Sequence, residues 1–185
     1  ILDAIKHVPS SVSSVREVLP GRPYFLPDTK HKHDPFMIRD AALLSGIVTD
    51  GTEHPADIRE ALYLRLTGIS PAFATELCFR AGVDVNAHPG SLTHDEIQAL
   101  SDRLNAAMQD VREGAFQPEL YTKNGKPVDF SALPLSYVLA EGCEREAFSD
   151  ISRLIAAFYA RKNAQLRMRN KSASLRALTQ TLLTR

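Results

Sequence analysis

The stretch LTGISPAFATELCFRAGVDV, residues 66–85, combines a Gly-Ile-Ser-Pro turn with an apolar run that ends in Ala-Gly. Gly68 can adopt a positive φ, Ser70 can accept a hydrogen bond from a following amide, and Pro71 suits the first turn of a helix. Gly82 falls where a left-handed cap commonly ends a helix. The pattern therefore predicts two helices joined by a very tight hairpin.

We place the two helices of this hairpin at residues 55–67 and 71–81. A hairpin this short leaves backbone amides unpaired at the positive end of the second helix, where a phosphate group can bind. A plain connection between two helices explains the same residues, because helix hairpins are common. The turn alone leaves both interpretations open.

Further helices are predicted on either side of the hairpin. Asp34 can cap a helix that has Pro35 at its first position and Gly46 as its stop. Downstream, Thr93 and Glu96 have the spacing of a capping box. The apolar positions of the helix before the hairpin are Ile58, Ala61, Leu62 and Leu66, and those of the helix after the capping box are Ile97, Leu100, Leu104 and Met108. Both sets have the spacing of one buried helical face.

The last third of the sequence changes character. Asn124-Gly125 lies between two short extended runs, which is typical of a tight β-hairpin. A long helix is predicted from Phe148 onward, with Ser149 as its cap. Its inward-facing residues are expected to be Ile151, Leu154, Ile155 and Phe158. Met168, Leu175 and Leu182 recur every seven residues, which is a weak indication that this helix begins a coiled coil.

Composition restricts the class of protein. With 185 residues and 44% hydrophobic content, the chain can bury a core. It has no apolar run long enough to span a bilayer, and no basic-then-apolar leader opens it. Because the chain begins at Ile1 in an apparent strand, we expect an N-terminal lobe to precede it. Cys78 and Cys143 have neither a disulfide framework nor metal-ligand spacing, which favours a reducing cytoplasm.

The charge is distributed unevenly along the chain. Residues 1–149 contain 14 Lys and Arg against 21 Asp and Glu, whereas residues 150–185 contain 8 against 1. A basic block of this kind indicates a polyanionic partner. His31 and His33 have a possible metal spacing, but no third ligand lies near them in sequence. No metal site and no cofactor are therefore predicted.

The hairpin stretch GISPAFATELCFRAGV resembles the helix-two-turn-helix of formamidopyrimidine-DNA glycosylases. Gly68, Ile69, Phe73, Ala74, Glu76, Phe79, Ala81 and Gly82 fall in register with that family's pattern. However, Pro71 stands where the glycosylases have an Asn that contacts DNA phosphate. The zinc-binding CxxC pair and the Pro-Glu amino terminus of those enzymes have no counterpart here. The resemblance thus implies the hairpin fold without the glycosylase chemistry.

The wider chain resembles the NFACT-N region of the RqcH, NEMF and fibronectin-binding protein A family. The matching stretches, in order, are LDAIKHVPSSVSSVREVLPGRPYFLP, GISPAFATELCFRAG, FQPELYTKNGKPVDFSALPL and AFSDISRLIAAFYARKNAQLRMRNKS. The resemblance implies a ribosome-associated quality-control factor. Such a factor binds a large ribosomal subunit carrying peptidyl-tRNA and recruits aminoacyl-tRNA, so that the stalled nascent chain gains a C-terminal tail. The family's Asp-Arg pair for tRNA recruitment belongs to its N-terminal lobe and maps onto no position in this sequence.

Together these features predict an α+β, mainly α, fold with a helix-two-turn-helix core, a short β-hairpin and a long C-terminal helix that starts a coiled coil. We divide it into an extended segment that ends a preceding β lobe (1–33), the helical core (34–114), a short strand pair (115–147) and a basic helix (148–185).

The function predicted from the sequence is RNA binding without catalysis. The expected partners are tRNA, large-subunit ribosomal RNA and the peptidyl-tRNA complex, and the expected location is the cytoplasm, with no membrane partner. The residues expected to contact RNA are Gly68, Ile69, Ser70, Lys6, Arg16, Arg161, Lys162, Arg167 and Arg169. The first alternative is a surface adhesin that binds fibronectin or fibrinogen, and the second is glycosylase-like DNA binding.

Overall fold

The computed structural model describes residues 1–4, 6–13, 17–24, 31–50 and 54–183, and in the last helix it describes side chains through Met168 together with Ser172 and Gln180. Within these residues, six α-helices accompany a three-stranded antiparallel sheet. The helices are α1 (Ala41–Thr49), α2 (Ile58–Arg65), α3 (Pro71–Ala81), α4 (His94–Glu113), α5 (Ser136–Ala140) and α6 (Ile151–Leu183), and the strands are β1 (Glu119–Lys123), β2 (Lys126–Ser131) and β3 (Glu144–Ala147). The predicted α+β, mainly α, class is confirmed.

The hairpin α2–α3 is built as its sequence predicts. Helix α3 begins after Ser70, whose hydroxyl oxygen accepts a hydrogen bond from the Phe73 amide at 3.1 Å. It ends at Gly82, which has a φ of 71° in the left-handed region. Helix α2 is shorter than predicted, because Asp57 caps its first turn and accepts from the Glu60 amide at 2.7 Å.

The helix predicted between Asp34 and Gly46 is wrong in its boundaries. Asp34 caps only a short 3-10 turn, and Ile38 returns to an extended conformation with φ −80° and ψ 111°. The chain then restarts as α1 behind a second cap, Asp40, whose carboxylate accepts from the Leu43 amide at 2.8 Å. Gly46 lies inside α1, because the backbone there continues to make helical hydrogen bonds as far as Asp50.

Helix α4 confirms the capping box. The Thr93 hydroxyl oxygen accepts from the Glu96 amide at 3.3 Å, and the Glu96 carboxylate accepts from the Thr93 amide at 2.8 Å. The apolar positions predicted for α2 and α4 are all buried in one core shared by α1–α4. Each buried Leu or Ile in such a core contributes roughly 1.5–3 kcal/mol relative to an exposed one. Burial of apolar side chains in this core therefore stabilises the α2–α3 hairpin.

The predicted β-hairpin is present, and a third strand extends it. Asn124 and Gly125 both have positive φ, 52° and 71°, as a tight turn between β1 and β2 requires. Strand β3 pairs with the other edge of β1, which gives the order β2-β1-β3. All four residues of its sequence, EREA, are exposed. The sequence does not alternate between apolar and polar residues, which is the pattern that predicts a strand.

Helix α6 packs its beginning against this sheet. Asp150, not Ser149 as predicted, caps it, since the Asp150 carboxylate accepts from the Arg153 amide at 2.8 Å. Leu154 and Phe158 are buried against Leu120. The inward orientation predicted for Ile151 and Ile155 is wrong, because each is 38% exposed. The coiled coil stays a prediction.

The first 24 residues, where described, include no helix or regular strand and contain turns at residues 10–12 and 20–21. Val8 and Val18 form an antiparallel bridge. Pro20 and Gly21 occupy a tight turn in which Gly21 has a φ of 80° and the Arg22 amide donates to the Leu19 carbonyl at 3.2 Å. A Pro-Gly pair is typical of such a turn.

Candidate nucleic-acid interface

The α2–α3 turn presents backbone to solvent and keeps its one apolar side chain inside. Gly68 has a φ of 77°, and both it and Ser70 are exposed. Ile69 is only 7% exposed and belongs to the helical core. Ile69 therefore anchors the turn by its side chain and can offer a ligand only its backbone.

A segment before α1 clamps this turn. The His33 amide donates to the Arg65 carbonyl at 2.7 Å, and the Thr67 amide donates to the His33 carbonyl at 2.9 Å. The Lys32 ammonium donates to the Tyr63 carbonyl at 2.7 Å, so a cation lies at the negative end of α2. The sequence did not indicate this clamp, because it joins segments about thirty residues apart. His33 takes part in this clamp through its backbone, and the described residues include no group of three side chains that could hold a metal ion.

The amino end of α3 offers hydrogen-bond donors at the positive end of a helix. Among the described residues, no hydrogen bond acceptor is found for the amides of Gly68, Ile69 or Ser70. Pro71 contributes no amide, and the Phe73 amide is used by Ser70. Oriented amides at a helix start attract anions through their partial positive charge. The turn can therefore bind a phosphate through its backbone, without any charged side chain.

The exposed cations predicted on α6 differ in their surroundings. Arg161 is engaged by the Glu146 carboxylate of β3 through two hydrogen bonds, of 2.6 and 3.0 Å. This pairing raises the pKa of Arg161 and lowers that of Glu146. The Lys162 ammonium lies 5.4 Å from the centre of the Phe158 ring. Arg167 is exposed, and for it the described residues show no carboxylate partner.

The remaining predicted contact residues are Lys6, Arg16 and Arg169. Lys6 is exposed in the N-terminal segment. Arg16 and the side chain of Arg169 lie outside the described residues. These three positions stay predictions.

The hairpin also contains a buried charged residue whose role the sequence did not reveal. Glu76 on α3 is fully buried, although its sequence position suggested an ordinary polar residue of the helix. Its carboxylate binds the Arg80 guanidinium and also accepts from the Tyr137 amide at 3.0 Å. The available signal was its place between the buried Ala74 and Leu77 on the inner face of α3.

The two nucleophilic side chains of the hairpin have structural roles. The Ser70 hydroxyl caps α3. Cys78 is completely buried, and burial raises the pKa of its thiol to about 12, so the reactive thiolate is suppressed.

The fold and this surface place the chain in a known class. It belongs to the family described as the NFACT N-terminal and middle domains, which matches residues 1–185. Among curated proteins it is similar to the Rqc2 homolog RqcH of Bacillus subtilis (strain 168), with 28% identity over 175 residues. That alignment covers 95% of this chain and 27% of the relative, so the chain spans about a quarter of the relative's length.

A solved structure has the same fold. The fibrinogen binding protein from Staphylococcus aureus superimposes with a TM-score of 0.57 at 21% sequence identity, over 83% of this chain and 49% of that protein. Among the residues described, no helix has the length and apolarity needed to cross a membrane.

Proposed function

We propose that this chain is the RNA-binding part of a ribosome-associated quality-control factor, with tRNA or large-subunit ribosomal RNA as its partner. The observation that carries the proposal is the pair of anion-attracting features: amides in the turn before α3 that have no acceptor among the described residues, and exposed cations on α6. Backbone amides and helix starts bind phosphate without reading sequence, and Lys and Arg add salt-dependent affinity. Similarity to RqcH supports the choice of a ribosomal RNA partner.

The finer proposal concerns what the RNA contact achieves. We infer that the chain helps a larger protein hold the peptidyl-tRNA complex and recruit aminoacyl-tRNA, so that a stalled nascent chain is extended at its C-terminus. The chain itself performs no catalysis in this proposal and acts in the cytoplasm. Gly68, Ile69 and Ser70 would contact phosphate by their backbone, and Arg161, Lys162, Arg167 and Arg169 by their side chains, with Lys6 and Arg16 on the extended segment.

A salt titration tests the RNA proposal. Labelled tRNA is mixed with the chain, and binding is measured by gel shift from low salt to about physiological salt. We expect the logarithm of the binding constant to fall linearly with the logarithm of salt concentration, by about 0.7–0.9 per phosphate contact. Absence of binding at low salt would contradict the proposal.

Adhesion is the second candidate, because the structural relative is a fibrinogen binding protein. In this case immobilised fibrinogen or fibronectin would retain the chain, and the protein would be exposed at the cell surface. Fractionation of cells separates the candidates. Co-sedimentation with large ribosomal subunits supports the RNA role, whereas recovery from the surface supports adhesion.

DNA binding of the glycosylase type is the third candidate. It is the weakest, because Pro71 has no side-chain donor for a DNA phosphate. Competition between tRNA and duplex DNA for the same chain tests it, and stronger binding of the duplex would favour this candidate over RNA.

A further inference from the structure

Helix α5 lies between the helical body, α1–α4, and the body formed by the sheet and α6. Tyr121 of β1, Leu135 and Val138 form a small buried cluster beside α5. Ala72 and Phe73 of α3 pack against the same cluster. The hairpin, the sheet and the start of α5 therefore share this one cluster.

Helix α5 has no amino-terminal cap of its own. The residue in the cap position is Leu135, whose side chain cannot accept a hydrogen bond. The amides at its start are instead bound by acceptors from the two neighbouring bodies. The Glu76 carboxylate of α3 accepts from the Tyr137 amide at 3.0 Å, and the Tyr121 hydroxyl oxygen of β1 accepts from the Leu135 amide at 2.7 Å.

Arg80 completes the attachment from the side of α3. Its guanidinium binds the Glu76 carboxylate and also donates to the Pro134 carbonyl at 2.7 Å. Arg80 thus binds the chain at the Pro134 carbonyl, and Glu76 binds it at the Tyr137 amide. We call this set, Glu76, Arg80 and residues 134–137, the Glu76 latch.

The sheet side of α5 is held by a second buried carboxylate. The Tyr121 hydroxyl donates to the Glu119 carboxylate at 2.7 Å, and Arg145 of β3 donates to the same carboxylate at 3.1 Å. Burial raises the pKa of Tyr121, and its hydrogen bond to Glu119 raises it further, so the phenol stays protonated and keeps donating. A buried carboxylate is costly unless such partners satisfy it. The partners of Glu119 lie within the sheet and orient the Tyr121 hydroxyl, whereas Glu76 has a partner outside its own helix, the Tyr137 amide.

We propose that Glu76 is a positioning residue: through the latch it fixes the orientation of the α2–α3 turn relative to α6, so that both contact one RNA at the same time. The second half of this statement rests on the proposed function. Two sites on one rigid body bind a common ligand more tightly than two sites that move independently, because the second contact costs less entropy. Glu76 acts through α5 and does not itself touch RNA.

The orientation is tested by distance measurement without RNA. Spin labels are attached to cysteines introduced at the exposed Asp102 of α4 and the exposed Ala164 of α6, in a chain with Cys143→Ser. We expect a single narrow distance distribution, which Glu76→Ala broadens about twofold or more while the far-UV circular dichroism keeps its helical signal. Glu113→Ala, which removes an exposed carboxylate from α4, is the matched control and should leave the width unchanged. An unchanged width in Glu76→Ala overturns the proposal.

Glu76→Gln guards against a Glu76→Ala variant that does not fold. It keeps a side-chain oxygen that can accept from the Tyr137 amide but removes the negative charge that binds the Arg80 guanidinium. We expect the distribution to broaden by a smaller amount, and an unchanged width in this folded variant would overturn the latch if Glu76→Ala is unfolded.

RNA binding separates positioning from a merely structural role. In Glu76→Ala we expect the Kd for tRNA to rise about tenfold and the salt slope to fall, whereas Glu113→Ala keeps both. A broadened distribution with unchanged Kd would overturn positioning. If the unsubstituted chain binds no RNA at low salt, the proposed function fails, and the distance distributions alone then decide whether the latch orients the two bodies.

Discussion

The α2–α3 turn and helix α6 offer anions two different kinds of attraction. In the turn, Gly68 and Ser70 set backbone geometry, and the donors are amides whose direction is fixed by the fold. On α6, the donors are long side chains on an exposed surface, and Arg161 is already engaged by Glu146. The donors of the turn are fixed in orientation but carry little charge. The donors of α6 carry full charges but are not fixed in orientation.

This difference predicts that salt and substitution affect the two regions differently. Contacts to Lys and Arg release counterions and weaken as salt rises, in proportion to the number of phosphates neutralised. Amides at a helix start carry only partial charges, so their contribution depends mainly on backbone geometry. Variants that remove charge and variants that strain backbone should therefore be distinguishable by the slope of affinity against salt.

Removing cations from α6 should give the largest effect. We expect Lys162→Ala with Arg167→Ala to weaken tRNA binding about tenfold or more at low salt and to reduce the salt slope by about 1.4–1.8, the value for two phosphate contacts. Arg39→Ala with Arg103→Ala removes the same charge from exposed positions elsewhere and is the control. Equal losses in the two double variants, measured by gel shift, would show that only net charge matters.

Straining the backbone of the α2–α3 turn should give the next largest loss of tRNA affinity. The slope of affinity against salt should not change. An Ala at position 68 meets no neighbouring atom, but its φ of 77° is unfavourable for any side chain and costs about 1–2 kcal/mol. We expect Gly68→Ala to weaken tRNA binding about fivefold. Gly114→Ala imposes a similar cost at the end of α4, where φ is 67° with open space around it, and should leave tRNA binding intact. Chemical denaturation checks that the two variants lose similar stability, and equal loss of binding in both would remove the turn from the interface.

Releasing Arg161 should strengthen binding modestly. Glu146→Gln removes the carboxylate that engages the Arg161 guanidinium, so the guanidinium becomes available to phosphate. We expect the Kd for tRNA to fall about two- to threefold and the salt slope to rise by up to about 0.9. Glu144→Gln removes the same charge from the same strand and serves as the control. Identical gains in both variants would indicate general electrostatics instead of release of Arg161.

The smallest effect concerns the stability of α4, which packs against α3. Two hydrogen bonds from Thr93 lower the pKa of Glu96 below its ordinary value of 4.5. The bond from the Thr93 amide has the larger effect, and the bond from the Thr93 hydroxyl has the smaller one. A lowered folded pKa stabilises the fold above pH 4.5, and that contribution is lost as the pH falls through the folded pKa. Glu96→Gln should therefore lower the melting temperature at pH 7, and the difference from the unsubstituted chain should shrink as the pH falls through the lowered pKa of Glu96. A difference that stays constant from pH 7 down to strongly acidic pH would contradict the role of its charge.

The sequence predicted the parts of this surface that depend on near neighbours. Ser70, Gly82, the capping box of Thr93 and Glu96, and the Asn124-Gly125 turn each act within four residues, and the structure confirms them. Such local signals are readable because the hydrogen-bonding partners are fixed by spacing.

Contacts between distant residues were not readable in the same way. Glu76 contacts Tyr137 sixty-one residues further along the chain, and Arg161 contacts Glu146 fifteen residues before it, from a different element. The strand β3 itself escaped notice because its residues are exposed and charged. Two helices also begin later than predicted, because a second capping residue follows the predicted one. Asp40 caps α1 in place of Asp34, and Asp150 caps α6 in place of Ser149.

Ultraviolet crosslinking of tRNA to the chain, followed by identification of the crosslinked peptides, tests most directly whether the two regions contact one RNA. We predict crosslinks both in the peptide that contains residues 66–73 and in the peptides that contain residues 159–168, with both sets lost in competition with unlabelled tRNA. Crosslinks confined to the outer face of α4, or their absence from the α2–α3 turn in a chain that binds tRNA, would contradict it.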